Sequence, residues 1–383
     1  VHAAPQRRQD RLLVVALALA AIVALGAGVA VMTDSGSRSA ATPVAAAAPG
    51  RDTVIASIPY WNLGPGAAAV EANPQVIDEI SPWVYNLAQN GSVQSAVPRQ
   101  DTASAAAVMA KLRAMKVPLM PSVSNMVGGD FSYDAVAPVL HDPPTMARNI
   151  ASITQLAISQ DYAGIDLDYE ELQGSDRTSF TTFVQQLAGS LHAAHKTLSV
   201  ALFAKVDDAG DDQRNVAQDY AAIGAAADEV RLMTYDYHWE TSPPGPVAPA
   251  SWVHDVLAYA ITVIPPEKIV VGLDQAGYDW VGNKGTTISY AQAMALSSSH
   301  GVAVQWDPLS QSPWFRYTGA DGAQHEVWFE NAASGEAKRA VADSFGVHAV
   351  FLWMYAPPDP ALWAGLAQHT QSPPTSRAPG GSG

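Results

Sequence analysis

The stretch Tyr162-Ala163-Gly164-Ile165-Asp166-Leu167-Asp168-Tyr169-Glu170 decides how the chain is to be read. Its pattern predicts a strand, in which Asp166, Asp168 and Glu170 fall at i, i+2 and i+4 and share one face while Ile165, Leu167 and Tyr169 share the other. Three acids on one face repel one another. A protein keeps such a cluster when a metal compensates the charge, or when carboxyls share a proton and their pKa values are pushed apart. The spacing disfavours a calcium loop of the EF-hand type, because the turn position that needs Gly is Glu171 and no liganding Glu sits at the expected end. A solvent-exposed acidic edge is disfavoured too, since apolar residues alternate with the acids.

Working outward, strand and helix patterns alternate along the chain, which predicts a parallel sheet of eight repeats. The expected strands are Val54 to Tyr60, Trp83 to Leu87, Val117 to Val123, the acidic stretch itself, Leu198 to Phe203, Val230 to Asp236, Lys268 to Leu273 and Ala349 to Trp353. Helical periodicity is read around Val76 to Ile80, and over Ala103 to Met115, Pro143 to Ile158, Asn215 to Ala227, Ser251 to Val263, Glu336 to Phe345 and Leu362 to His369. After the acidic strand, Phe180, Phe183, Val184, Leu187 and Leu191 recur at the spacing of one buried helix face. The segment from about 278 to 331 breaks the rhythm and carries Trp306, Trp314, Phe315, Tyr317, Trp328 and Phe329. It is too long for a loop and too aromatic for a linker, and reads as a small α+β insertion after the seventh strand.

The chain of 383 residues has no cysteine and a formal net charge of −15. That balance argues against nucleic acid as a partner, because phosphate binding needs a basic stripe; a neutral polysaccharide sets no such requirement. Arg7, Arg8 and Arg11 precede an uncharged apolar run from Leu12 to Met32, about the length that spans a bilayer. Residues 1–33 are therefore expected to be a short cytoplasmic stub and an uncleaved signal anchor, making the membrane a partner through the N-terminal segment. Small residues at Ala45 to Ala48 keep a cleaved, secreted form as the alternative. Residues 34–51 read as a flexible tether, 52–369 as the barrel and 370–383 as a disordered tail. A monomer working outside the cytoplasm is expected.

With the acidic stretch stand Met233-Thr234-Tyr235-Asp236, Pro266 to Gly272, Ala276-Gly277-Tyr278-Asp279-Trp280 and Val327-Trp328-Phe329-Glu330. In this order they resemble glycoside hydrolase family 18 over roughly Thr53 to Leu366, and in particular its branch of bacterial spore-cortex and cell-wall hydrolases. The resemblance implies a (β/α)₈ TIM barrel whose site lies at the C-terminal ends of the strands, and a reaction that needs no cofactor and no metal. It implies Glu170 as general acid, Asp168 as partner of the substrate acetamido N–H, Asp166 as sharer of a proton with Asp168, and Tyr235 as donor to the acetamido carbonyl. Asp236, Trp353 and Tyr60 are the residues it implies for sugar binding, with Trp353 as an apolar floor. On position alone, Tyr235 could be a core tyrosine, Trp353 barrel filling and Asp236 a loop cap. His238 and Trp239 could line the cleft or cover a helix end.

Two departures from the family pattern stand out. Ala163 replaces an acid expected deeper in the barrel, which shortens the proton-sharing chain. Asp274-Gln275-Ala276 stands where related wall hydrolases tend to have Pro, an aliphatic residue and Tyr, which removes an expected aromatic contact. The expected activity is hydrolysis of β-linked N-acetylglucosamine polymers, peptidoglycan first and chitin oligomers second. The alternative is a lectin-like barrel that binds sugar without turnover, although relatives of that kind lack the acid that Glu170 supplies.

Overall fold

The structure is a computed structural model and describes residues 52–370. The expected signal anchor and tether, and the tail beyond Thr370, lie outside the described residues. Eight parallel strands close into a barrel: β1 Thr53–Pro59, β2 Glu79–Leu87, β3 Ser122–Ser124, β4 Gly164–Asp168, β5 Thr197–Phe203, β6 Glu229–Met233, β7 Ile269–Asp274 and β8 Ala349–Trp353. Each pairs with its neighbours in sequence, and β8 pairs with β1 to complete the ring. The fold expected from the alternating pattern is the fold observed. Among the described residues, no helix is long and apolar enough to cross a membrane.

The outer face of β4 shows how the helices hold the barrel. Ile165, Leu167 and Tyr169 are fully buried, as are Phe180, Phe183, Val184, Leu187 and Leu191 on the helix Arg177–Ala193. Phe183 stacks on Tyr169 with ring centroids 5.7 Å apart, and the Tyr169 hydroxyl donates to Asn149 Oδ1 at 3.1 Å. The strand that carries the acids is thereby fixed from behind by an aromatic pair and a buried hydrogen bond. Truncating a buried Phe of this kind typically costs about 3–5 kcal/mol.

Several boundaries differ from the sequence reading. No helix forms at Val76 to Ile80; the helix is Leu63–Ala72, where Gly64, Pro65 and Gly66 obscure the apolar spacing, and Ile80 belongs to β2. The helix expected over Asn215 to Ala227 is split into Gln213–Val216 and Tyr220–Ala226, each capped by an aspartate, Asp212 and Asp219. Buried Lys205 donates to the carbonyls of Asn215 at 3.3 Å and Gln218 at 2.7 Å, which satisfies the groups freed by that break. Sequence reading also missed the helix Tyr133–His141, which contains Pro138. The strands β4 and β6 stop at Asp168 and Met233, so Glu170, Tyr235 and Asp236 sit just beyond strand ends rather than within them.

The insertion is a five-stranded antiparallel sheet with one helix, Tyr290–Ser299. Its strands are Ala276–Val281, Lys284–Ser289, Gln305–Asp307, Ser312–Thr318 and Gln324–Phe329, so it begins directly after β7. Its aromatics divide between two jobs. Phe315, Tyr317 and Phe329 form its own small core, whereas Tyr278, Trp280 and Trp328 pack with Val247 and against Tyr235 beyond β6. Trp306 is exposed. Buried Lys338 ties the sheet to the helix Ala332–Ser344, which precedes β8, through Glu330 at 2.7 Å and Ser312 Oγ at 3.3 Å.

Candidate active site

The barrel interior below the mouth is polar. Ser81 Oγ lies 3.1 Å from Ser122 Oγ, and Ser122 Oγ donates to Asp166 Oδ2 at 2.7 Å. Arg231 enters from β6, 1% exposed, with Nη1 3.3 Å from Asp166 Oδ2 and Nη2 2.5 Å from Glu79 Oε1. Small serines leave room at the axis for that guanidinium. Burial, opposed by Arg231, pushes the Glu79 carboxyl up to about 8.

Above this layer, Asp168 Oδ2 accepts from Trp83 Nε1 at 2.9 Å. Burial and then the charge of Asp166 push the Asp168 carboxyl up to about 7, against hydrogen bonds from Trp83 and Glu170. Asn125 grips the backbone of Glu170 from both sides: its Oδ1 accepts from Glu170 N and its Nδ2 donates to Glu170 O, both at 2.9 Å. The next residue, Glu171, has φ +57°, a left-handed conformation that turns the chain away immediately after the acid. Burial and the Asp168 charge hold Glu170 well above the ordinary carboxylate range, with Arg214 acting in the opposite sense. A carboxyl that keeps its proton near neutrality, fixed at the mouth of a barrel, can serve as a general acid.

Opposite stand Tyr235 and Asp236. The Tyr235 ring packs edge-on to Phe351, and a side chain at Gly272 would put its Cβ 2.7 Å from Tyr235 Cε1; glycine there is the space the ring occupies. Asp236 has φ +56° and accepts from the Tyr278 hydroxyl at 2.7 Å, a bond that brings the insertion onto the barrel mouth. Burial, opposed by that bond, places the Asp236 carboxyl at about 6. Trp353, at the end of β8, meets Trp83 and Trp61 edge-on, with centroids 6.0 Å away in both cases, and Tyr60 stacks on Trp83 at 6.2 Å. The structure thus gathers all seven sequence-expected residues, Asp166, Asp168, Glu170, Tyr235, Asp236, Trp353 and Tyr60, at one end of the barrel and its interior.

Asp274 belongs with them. Its Oδ1 accepts from Gln275 N at 2.6 Å and Ala276 N at 3.2 Å, and burial followed by the charge of Asp236 holds the carboxyl well above its ordinary range. Its pKa is raised on folding, so its contribution to stability is present below the ordinary carboxylate range and is lost as pH rises through the folded value. Asp274→Asn keeps an oxygen for both N–H groups and removes that loss. It is expected to raise Tm at about pH 8 by more than at about pH 5, by roughly 2–4 °C for each kcal/mol recovered, measured by calorimetry.

Two expectations need correction. Ala163 is exposed and precedes β4 on the face shared by Ile165 and Leu167, so an acid there would point away from Asp166 and would not lengthen the proton-sharing chain. The missing tyrosine at Ala276 does not leave this side without an aromatic: Tyr278, two residues on in the same strand, supplies the ring and the hydroxyl that reaches Asp236. His238 and Trp239 lie in the loop after Asp236, where His238 Nδ1 pairs with Pro243 O at 2.9 Å and Trp239 O accepts from Trp280 Nε1 at 3.3 Å. Trp239 is 40% exposed. Sequence reading missed Trp83, Asn125 and Arg231 as site residues. Among the described residues, Asp52, Asp343 and His348 could offer metal ligands, but the Arg339 guanidinium already pairs with both aspartates.

Residues 68–356 match the model of the glycosyl hydrolases family 18. The chain belongs to this family. It is therefore a glycosidase with a carbohydrate substrate, related to chitinases and to cortex-lytic enzymes. It is 31% identical over 251 residues to the cortical fragment-lytic enzyme of Bacillus subtilis (strain 168), covering 64% of this chain and 58% of that protein. The chain thus spans somewhat under two thirds of that relative's length. Its fold superposes on the chitinase from Chromobacterium violaceum with a TM-score of 0.77 and 29% identity, over 84% of this chain and all of that one. The spore cortex-lytic enzyme SleL of Bacillus cereus gives a TM-score of 0.74 at 27% identity, over 83% of this chain and 74% of that one.

Proposed function

We propose that this family 18 glycosidase cleaves β-linked N-acetylglucosamine polymers by a retaining, substrate-assisted mechanism, with peptidoglycan the first substrate and chitin oligomers the second. The observation that carries the reading is the pairing of a backbone-clamped, proton-holding Glu170 with Asp168 beside it. Glu170 protonates the glycosidic oxygen. The acetamido oxygen of the substrate attacks its own anomeric carbon, the Tyr235 hydroxyl donates to that carbonyl, and Asp168 receives the acetamido N–H and faces the cationic oxazoline.

Of the other carboxyls at the mouth, Asp236 is tied through Oδ1 to Tyr278 and Asp274 through Oδ1 to two backbone N–H groups, which supports roles in binding and structure for them. Trp353 forms the floor under the reacting ring, and Tyr60 and Asp236 contribute to sugar binding. Peptidoglycan is placed first because of the likeness to the cortical fragment-lytic and cortex-lytic enzymes. We also propose that the apolar segment near the N-terminus and the tether after it hold the barrel outside the cytoplasm, at high local concentration near the wall.

The test is to incubate residues 52–369 with purified peptidoglycan and with chitin oligomers and to identify products by mass spectrometry. Cleavage of peptidoglycan into fragments with a reducing N-acetylglucosamine end supports the first-choice substrate, and cleavage of chitin alone reverses the order. Binding without cleavage of either polymer would return the reading to a lectin-like barrel.

A further inference from the structure

The Asp166–Asp168 pair lies over a buried cation that the proposed mechanism does not use. Arg231 reaches Asp166 Oδ2 at 3.3 Å with Nη1, and with Nη2 reaches Glu79 Oε1 at 2.5 Å and Glu229 Oε2 at 3.4 Å. Asp166 Oδ2 accepts a hydrogen bond from Ser122 and faces Arg231 Nη1 as an ion pair without a hydrogen bond, and the Oδ1 atoms of Asp166 and of Asp168, like Nη1 and Nε of Arg231, are buried with no hydrogen-bond partner. Unpartnered buried oxygens on adjacent carboxyls are costly unless a proton lies between them. Resting on the glycosidase reading of this site, we infer that Arg231 is a positioning residue: with Ser122 it fixes Asp166 against Asp168, and its buried positive charge lets the pair carry one negative charge beside Glu170.

Burial opposes the charge on Arg231, but Asp166, Glu79 and Glu229 together raise its pKa further, so it is a permanent cation. Burial, opposed by Arg231, pushes the Glu79 carboxyl up to about 8, so Glu79 competes less with Asp166 for the shared guanidinium as pH falls. The titratable and charged groups around the pair are Glu79 from β2, Arg231 and Glu229 from β6, and Glu170 and Tyr235 above it, with Ser122 and Trp83 as donors. A buried ion pair is by itself weak support for stability, since well-packed apolar residues would do as well. What an apolar residue could not do is supply a positive charge to the Asp166–Asp168 pair. With Arg231 in place, the pair carries one negative charge at a lower pH than burial alone would allow, and that charge is available when the cationic oxazoline forms.

The test is the pH profile of kcat/KM on a soluble chitin oligosaccharide with the full chain. The acid limb reports the first ionisation of the pair, and loss of a neighbouring cation raises that ionisation. Arg231→Met is expected to move the limb up by about 1–3 pH units. The double variant Arg231→Gln/Glu79→Gln keeps two hydrogen-bonding side chains of similar size without leaving Glu79 unpaired, and is expected to move the limb the same way, so the test survives if the Met variant does not fold. Ser122→Ala, which removes a neutral donor to the same oxygen, is expected to move it less, and Arg231→Lys least. A folded Met or double variant whose acid limb coincides with that of the wild type, with rates lowered equally at every pH, would show Arg231 to be structural and overturn the proposal. If the wild type cleaves no oligosaccharide, the glycosidase mechanism fails separately. The pH dependence of binding a thiazoline mimic, followed by calorimetry, then reads the same shift or its absence.

Discussion

Glu170→Gln is expected to lower kcat by about 10²–10⁴ while Tm and the affinity for oligosaccharide stay close to wild type. The amide keeps the shape of the side chain, and Asn125 holds residue 170 by its backbone, which the substitution does not touch. What is lost is the transferable proton. Glu170 sits well above the ordinary carboxylate range through burial and then the Asp168 charge, so the wild-type rate should persist at neutrality and fall as pH rises through that raised value. The residual rate of the Gln variant should lack this alkaline limb. Steady-state kinetics across pH, with binding by calorimetry, check both statements; activity within about threefold of wild type would remove Glu170 from the role of acid.

The parts of the site that could be read from sequence are those set by local alternation. Asp166 and Asp168 share a face because strand period is two, Glu170 follows within reach of the same face, and Tyr235 and Trp353 were marked by standing where strands end. The parts that could not be read are cross-strand partners. Trp83 is 85 residues from Asp168 and Asn125 is 45 from Glu170, and nothing in their own neighbourhoods distinguishes them from ordinary strand and loop residues. Arg231 was hidden differently: within Val230-Arg231-Leu232-Met233 it reads as a charge on an edge, and only closure of the barrel turns that face inward onto Asp166 and Glu79. Ala163 was misplaced by treating the signature as a row of carboxyls. Its odd parity with Ile165 and Leu167 already put it on the opposite face.

The larger effect is expected from the substrate. An oligosaccharide de-acetylated at the reacting sugar should bind and not turn over, because the acetamido oxygen is the nucleophile in the proposed mechanism. Intramolecular attack by a well-placed neighbouring group is worth roughly 7–11 kcal/mol over a free reactant, enough to reduce the rate below detection when the group is removed. The residues that manage the group are already in place: half-buried Tyr235 packs edge-on to Phe351 in the space left by Gly272, and Asp168 is oriented by Trp83. Asp236 and Asp274 each commit one oxygen, to Tyr278 and to two backbone N–H groups respectively, which fixes both carboxyls in place. NMR of the first-formed product should show the β configuration, and a stable thiazoline mimic should compete with substrate. Normal cleavage of a glucosamine-only chain, or an α-configured first product, would exclude the neighbouring-group mechanism and return Asp168 and Tyr235 to roles in binding alone.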